Sequence, residues 1–377
     1  MSTKKTLVMH DSFLIRGESE RMNISFATIY KGDIATSIWS TNSYDPFDLG
    51  FHGKIIEIFR NYHTGWLGYI RMKLHFFFSS SLTHKYSRII FSNESVSAVH
   101  LTKKNTETLY YAHSLPHFLF DDKKEYLKMV PFFYHEFYHL GLFIRKWIFI
   151  WDLRSVKHIA TNSLENKKWL EKWTKRTDIE VIYPPVNILR FRPVKTKVSY
   201  KVKEHSNVET LLERELKDYY ISTVRLTEKK QVDKLVHAFV HMPLKNLIVF
   251  YNPTDPDTEK VMKIARGSNN IFFIHEPLEM KRSAIISSAV ASISIAKQED
   301  FGIEVVESMA CGVPVITSNV GGHKETIIDG KTGIFLPEDF SVYNIMEVVE
   351  KLTPEKSLEM KDACIKQAKL FALEDFA

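Results

Sequence analysis

Glu299-Asp300-Phe301-Gly302-Ile303-Glu304-Val305-Val306-Glu307-Ser308-Met309-Ala310-Cys311-Gly312-Val313-Pro314-Val315-Ile316-Thr317 is the stretch on which the reading of the fold turns. Val305, Val306 and Met309 follow helical spacing, which predicts a short helix from near Gly302 to Gly312, a good C-cap residue. The Val-Pro-Val-Ile run behind it reads as a strand entered through a proline. Glu299 then lies in the loop before the helix, and Glu307 lies one turn above Ile303. The free N–H groups of the first helical turn form an anion site. Two carboxylates flanking such a site suit a ligand with phosphate in its middle and hydroxyl groups at both ends.

The same alternation runs outward in both directions. In the second half, strands are expected at Tyr219–Val224, Asn246–Tyr251, Ile271–Ile274, Ala291–Ile295 and Val313–Thr317, with helices at Gln231–His241, Asp257–Ala265 and Glu279–Ser288. In the first half, Thr6–His10, Arg88–Ser92, Thr108–His113, His158–Asn162 and Glu180–Tyr183 read as strands. A loop through Gly17 leads there into a helix from Glu18 to Tyr30, and Pro184-Pro185 closes the run. Residues 193–217 are polar and lysine-rich, with a short helix expected over 208–217, and mark a boundary between domains 1–192 and 218–360. Two α/β domains in tandem, each with a parallel sheet, predict a ligand cleft between them, because open α/β sheets bind ligands beyond the carboxyl ends of their strands.

The bulk numbers agree with this. The 377 residues suffice for two or three domains, and 44% hydrophobic with 25% charged residues is ordinary for a globular protein. Cys311 and Cys364 sit in apolar surroundings, which points to a reducing compartment without structural disulfides. No secretory signal opens the sequence, and the longest hydrophobic stretch, Met129 to Trp151, is interrupted by His135, Glu136, His139, Arg145 and Lys146. A bilayer span needs about 20 mostly apolar residues, so a cytoplasmic protein is expected. Residues 1–190 carry 26 Lys and Arg against 18 Asp and Glu, a net of +8; residues 191–377 carry 25 against 27, a net of −2. The basic half is also aromatic, as in Trp66-Leu-Gly-Tyr-Ile-Arg-Met-Lys-Leu-His-Phe-Phe-Phe78. That combination suits peripheral contact with an anionic membrane surface. It equally suits core helices with solvated Lys and Arg.

The strand that restarts the second half runs into Arg225-Leu-Thr-Glu-Lys-Lys230. Two cations leaving a strand end can hold a diphosphate, Arg through its fork of donors and Lys as a point charge. Taken together, these residues resemble the retaining glycosyltransferases of family 4, which have the GT-B fold of two Rossmann-like domains facing each other across an interdomain cleft. Glu299 and Glu307 match that family's paired-glutamate motif, Phe301-Gly302 its centre, and Arg225 and Lys230 its basic donor-site pair. The resemblance continues in Gly321-Gly322-His-Lys-Glu325 through Gly333, in Tyr110-Tyr-Ala-His113, Trp151-Asp-Leu-Arg-Ser155, Thr161-Asn162-Ser163 and Val181-Ile-Tyr-Pro-Pro-Val186. The first-half segments look like the branch that includes O-antigen mannosyltransferases.

The resemblance implies a nucleoside-diphosphate sugar donor, GDP-mannose first, and a glycan acceptor, which the basic aromatic half suggests is membrane-linked. Glu307 would bind ribose hydroxyls and Glu299 hydroxyls of the donor sugar. The amides near Phe301, Gly302 and Ile303 would contact sugar or phosphate, and Arg225 and Lys230 would neutralise the leaving diphosphate. His113 would reach the donor sugar from the first domain; Gly17, Asn162 and Ser163 complete the donor-binding set, although a turn or cap explains Asn162 and Ser163 equally well. Residues 361–377 would form a helix packing back on the first domain. No cofactor, metal or nucleic acid is implied. The departures are Val224 and Gln231 where the family has glycines, Gly17-Glu18 for a Gly-Gly pair, and Tyr251-Asn-Pro253 for a glycine-rich turn. They leave open another donor, such as a UDP-sugar, or a nucleotide-sugar binder without turnover. A competing motif, His135-Glu136-Phe-Tyr-His139, fits the His-Glu-x-x-His zinc pattern and puts both histidines on one helix face, but no third ligand follows at a known spacing.

Overall fold

The computed structural model describes residues 5–59, 66–120, 135–194, 201–202, 212–213, 217–275 and 279–373. The chain divides into two units, Met1–Pro184 and Pro185–Ala377, so the division falls at the proline pair.

In the first unit seven strands form one parallel sheet: β1 (Thr6–Met9), β2 (Asp33–Thr36), β3 (Ile55–Glu57), β4 (Arg88–Phe91), β5 (Glu107–Ala112), β6 (His158–Thr161) and β7 (Ile179–Val181), in the order β3-β2-β1-β4-β5-β6-β7. The central strands are near-continuous apolar runs because helices cover both faces of a parallel sheet. Leu7, Met9, Ile89, Phe91, Tyr110 and Ile159 join one core with Phe149 and Leu153 of the helix His135–Ser155. The Tyr111 hydroxyl, buried in this unit, donates to the Ile182 carbonyl at 2.7 Å.

A two-stranded antiparallel pair, β8 (Lys201–Val202) and β9 (Leu212–Glu213), follows. The helix expected over 208–217 lies mostly outside the described residues, and Leu212 and Glu213 are extended instead. The second unit's parallel sheet holds β10 (Tyr219–Ser222), β11 (Asn246–Tyr251), β12 (Ile271–His275), β13 (Ala291–Ser294), β14 (Val315–Ser318) and β15 (Gly333–Leu336), in the order β12-β11-β10-β13-β14-β15. Its core centres on Tyr220, Leu235, Phe239, Val249, Phe273 and Ile293, and the Tyr220 hydroxyl is satisfied by the carbonyls of Val349 and Leu352.

The decisive stretch folds as helix Ile303–Ala310 followed by β14. Gly312, at φ +78°, closes the helix: its N–H bonds the Met309 carbonyl and the Val313 N–H bonds that of Ser308. Val313 is thus used in the cap and Pro314 has no N–H for the ladder, which is why β14 starts at Val315 rather than Val313. β2, β3 and β15 were not expected from the sequence. The last long helix begins at Pro354, capped by Thr353, and lies against the helix Ile303–Ala310 within the second unit.

Candidate functional site

The second unit's polar residues collect at the carboxyl ends of β10, β13 and β14. Lys230 follows β10, Glu299 follows β13, and Glu304 stands in the first turn of the helix Ile303–Ala310. The Lys230 Nζ donates to Glu299 Oε2 and, at 3.1 Å, to Glu304 Oε1, which also accepts from Ser294 Oγ at 3.1 Å. Burial alone would lower the lysine, but Glu299 and Glu304 hold its ammonium well above the usual lysine range. Burial would raise Glu304, yet the lysine charge holds it down at about 2. Both members of the pair are therefore charged at neutral pH.

His323, wholly buried in the turn after Gly321-Gly322, completes the cluster. Thr317 Oγ1 donates to the Ser294 carbonyl at 2.6 Å, so it accepts from His323 Nδ1, also at 2.6 Å. The ring's lone pair is then on Nε2, 3.7 Å from Glu299 Oε2 and with no hydrogen-bond partner among the described residues. Burial pushes this imidazole below its ordinary value, against the pull of Glu299 and Glu304. Two acceptors thus face each other, an arrangement that a ligand hydroxyl could satisfy. Glycine is required around them: a Cβ on Gly302, at φ +85°, would lie 2.7 Å from His323 Cδ2, and one on Gly321, at φ +47°, 1.8 Å from the Glu299 carbonyl oxygen. Glu299, Glu304 and His323 bring three donor atoms within 4.8 Å of one another, a spacing that could hold an ion, but the Lys230 ammonium bonds both carboxylates.

The other expected residues of this unit make contacts of their own. Arg225 Nε donates to Asp255 Oδ1 at 3.2 Å, and the buried Asp255 also accepts from the Leu226 amide at 2.9 Å. Asp255-Pro256-Asp257 is an Asp-x-Asp sequence, and its first carboxylate is engaged in that clamp. Glu307 is buried beside Arg282, whose Nη2 lies 3.3 Å from its Oε2. Phe301 is wholly buried edge-on to Phe371, so only its backbone can meet a ligand. Gln231 sits at φ +48° and keeps the left-handed turn that a glycine would make. An Asn252 side chain accepting from Thr254 N and Oγ1 builds the turn at Tyr251-Asn-Pro253.

In the first unit, His113 leaves the end of β5 and Asn162 and Ser163 leave the end of β6. His113 is bonded to a side chain, Asn23 at 3.0 Å, on the helix Glu18–Ile29 that Gly17 caps. Asn23 Oδ1 accepts from Ser92 Oγ, which lies 2.8 Å from His10 Nδ1. The Asn23 amide nitrogen is accordingly the donor to His113 Nε2, and His113 carries its hydrogen on Nδ1, buried without a partner among the described residues. Burial, then the neighbouring His10, pushes His113 well below the ordinary histidine value. Asn162 Nδ2 donates to the His113 carbonyl at 2.7 Å and to Glu18 Oε1 at 3.3 Å, while Ser163 Oγ caps the helix Leu164–Thr174. His113, Asn162 and the Gly17 helix start are thus brought together, with Asn23, Ser92 and His10 as members that sequence reading missed. Glu304, Asp255, Arg282 and the role of His323 were missed as well; Glu304 stood inside the quoted stretch, but nothing in its spacing marked it off from an ordinary first-turn acid. His139 is exposed on its helix and belongs to no ion-sized cluster among the described residues.

Residues 205–371 match the family model described as glycosyl transferases group 1. The GDP-Man:Man(3)GlcNAc(2)-PP-Dol alpha-1,2-mannosyltransferase of Xenopus tropicalis is 24% identical over 220 residues, covering 55% of this chain and 43% of that protein. The alpha-1,3/1,6-mannosyltransferase alg2 of Schizosaccharomyces pombe is 36% identical over 80 residues, 21% of this chain and 16% of its own. The chain thus spans less than half the length of these curated relatives. Among solved structures, sucrose-phosphate synthase from Thermosynechococcus elongatus superposes with a TM-score of 0.76 at 17% identity, over 99% of this chain and 96% of that one. HepE of Anabaena in complex with UDP and glucose gives 0.73 at 14% identity, over 98% and 95%. Likeness at such identities establishes the fold, and the fold is GT-B: two Rossmann-like α/β units in one chain.

Proposed function

We propose that the protein is a retaining glycosyltransferase that moves a sugar from a nucleoside-diphosphate donor to a hydroxyl of a glycan acceptor. The observation that carries this reading is the Lys230 ammonium bonded to Glu299 and Glu304 beside the first turn of the helix Ile303–Ala310, which has no side-chain cap. The turn offers N–H groups for phosphate, Lys230 and Arg225 offer the charge that a leaving diphosphate needs, and Glu299 with His323 Nε2 offers acceptors for sugar hydroxyls. Glu307 then serves the ribose. In the transfer the bond from the anomeric carbon to the diphosphate breaks and the acceptor oxygen takes its place on the same face. The acceptor's proton passes to the departing phosphate oxygen. In this reading the two cations supply the charge that a metal would otherwise bring. GDP-mannose is the preferred donor, in keeping with the substrate named for the Xenopus relative, and that relative's dolichol-linked acceptor supports a lipid-linked one here.

A thermal-shift series across nucleoside diphosphates and their sugars tests the donor, since a ligand present at 100 times its Kd stabilises the folded state by about 2.7 kcal/mol. A transfer assay with the donor that binds, read for the anomeric configuration of the product, tests the chemistry. Lys230→Gln is expected to lower turnover by about 10²–10³ below its own melting temperature. Unchanged turnover in that variant removes Lys230 from the mechanism, and tight donor binding without transfer to any acceptor favours a silent binder.

A further inference from the structure

The helix His135–Ser155 is apolar on two sides: Leu142, Phe149, Ile150 and Leu153 are buried in the core, and a second apolar stripe faces outward. Leu140, Phe143, Ile144, Trp147, Ile148 and Trp151 recur at i, i+3, i+4, i+7, i+8 and i+11, and this stripe is the exposed one, with Trp147 51% and Leu140 57% accessible. Three charged residues of the same helix, Arg145, Lys146 and Asp152, are instead engaged with the rest of the unit. Arg145 Nη2 lies 2.6 Å from Glu94, Lys146 Nζ lies 3.8 Å from the centre of the Trp173 ring, and the buried Asp152 binds Lys73 at 3.0 Å and His100 at 2.7 Å. Burial would raise Glu94, but Lys73 and Arg145 hold it at about 2, so these charges are matched. Helix Trp66–Phe77, which supplies Lys73 and packs on the same 3-10 segment Asn93–Leu101, exposes Ile70, Leu74 and, just beyond it, Phe78.

We infer that this two-helix face is a docking surface for an anionic lipid bilayer. Exposed apolar faces of this extent mark interaction sites. The mixture of Trp, Phe, Leu and Ile is that of helices lying in the membrane interface. Charge decides between a lipid and a protein partner: among the described side chains of the two helices the exposed charged groups are Arg71 and Arg154, the only acid is the buried Asp152, and residues 1–190 carry a net of +8. No helix among the described residues is long and apolar enough to cross a membrane, so the contact is parallel to the surface. The inference concerns the first unit and does not rest on the transfer reading.

The test is co-sedimentation of the full chain with vesicles of phosphatidylcholine alone and of equimolar phosphatidylcholine and phosphatidylglycerol. Binding is expected to the anionic vesicles, to weaken with added salt, and to fall about tenfold or more in Phe143→Ser/Trp147→Ser. Both side chains are exposed, so the variant's melting midpoint should match the parent's; a single Trp147→Ser serves if the double variant does not fold. Absence of salt-sensitive binding by the parent protein overturns the inference. So does concentration-dependent dimerisation that the substitutions abolish, which would assign the face to a second copy, or unchanged vesicle binding by the folded variant.

Discussion

Lys230 has two tasks at the residue scale. It is the cation proposed for the diphosphate, and it neutralises two carboxylates, the half-buried Glu299 and the buried Glu304, 69 and 74 residues away in sequence. Deleting one partner of a buried pair typically costs about 3–5 kcal/mol, so Lys230→Ala should unfold more readily as well as turn over more slowly, and Gln, which keeps a donor, separates the two effects better. The pair also sets a pH dependence. Glu304 takes up its proton near the ordinary 4.5 when unfolded and at about 2 when folded, so its contribution is full above 4.5 and is lost as the pH falls toward 2. The loss is on the order of 3 kcal/mol. Lys230, raised in the folded state, acts at the other end: its contribution is complete below the ordinary 10.5 and is lost only at still higher pH. Urea midpoints taken down through this acid window should fall more gently in Glu304→Gln than in the parent; parallel curves would take Glu304 out of the pair. Glu299, Glu307, Arg225 and Lys230 could be picked out from the sequence because their residue types and flanking turns are local. Glu304, Asp255 and Arg282 could not, since each is defined by a partner from a distant segment.

At the scale of the element, the helix Ile303–Ala310 owes its position to the glycines around it more than to its own propensity. Gly302 opens it and Gly312 closes it, both at positive φ, and Gly321 lets the following turn lie directly on the Glu299 backbone. Gly321→Ala should therefore cost more than the roughly 1–2 kcal/mol of left-handed strain, because the added methyl meets backbone that cannot yield. Gly267, at φ +87° with open space around its Cβ, is the control: Gly267→Ala should cost the strain alone. Equal shifts in melting midpoint for the two variants would show that the Gly321 turn relaxes freely. The helix and β14 were readable as elements because apolar spacing, a C-cap glycine and a proline lie consecutively in the chain. The outward stripe of His135–Ser155 was not, because both of its faces are apolar in sequence and only the half-buried Glu94 and the buried Asp152 decide which one turns inward.

The whole molecule is two Rossmann-like units with separate cores, one built around Leu7, Tyr110 and Leu153 and the other around Tyr220, Leu235 and Ile293. Separate cores predict separate unfolding steps. In calorimetry a nucleoside diphosphate that binds at Lys230 should raise the second unit's transition by mass action, and Lys230→Gln should diminish that rise. A shift confined to the first unit's transition would put the nucleotide on the wrong unit. By itself the sequence determined the alternation of strands and helices, the parallel sheets and the identity of the acid and base motifs, because periodicity, turn residues and short motifs are properties of neighbouring positions. Only the tertiary structure decided that Lys230 sits between Glu299 and Glu304, that His323 keeps a bare lone pair against Glu299, that His113 is held by Asn23, and that an apolar stripe faces outward. Each of these depends on which distant side chain satisfies a buried charge or hydrogen-bonding group, and that is settled when the strands stack and bring their carboxyl ends together.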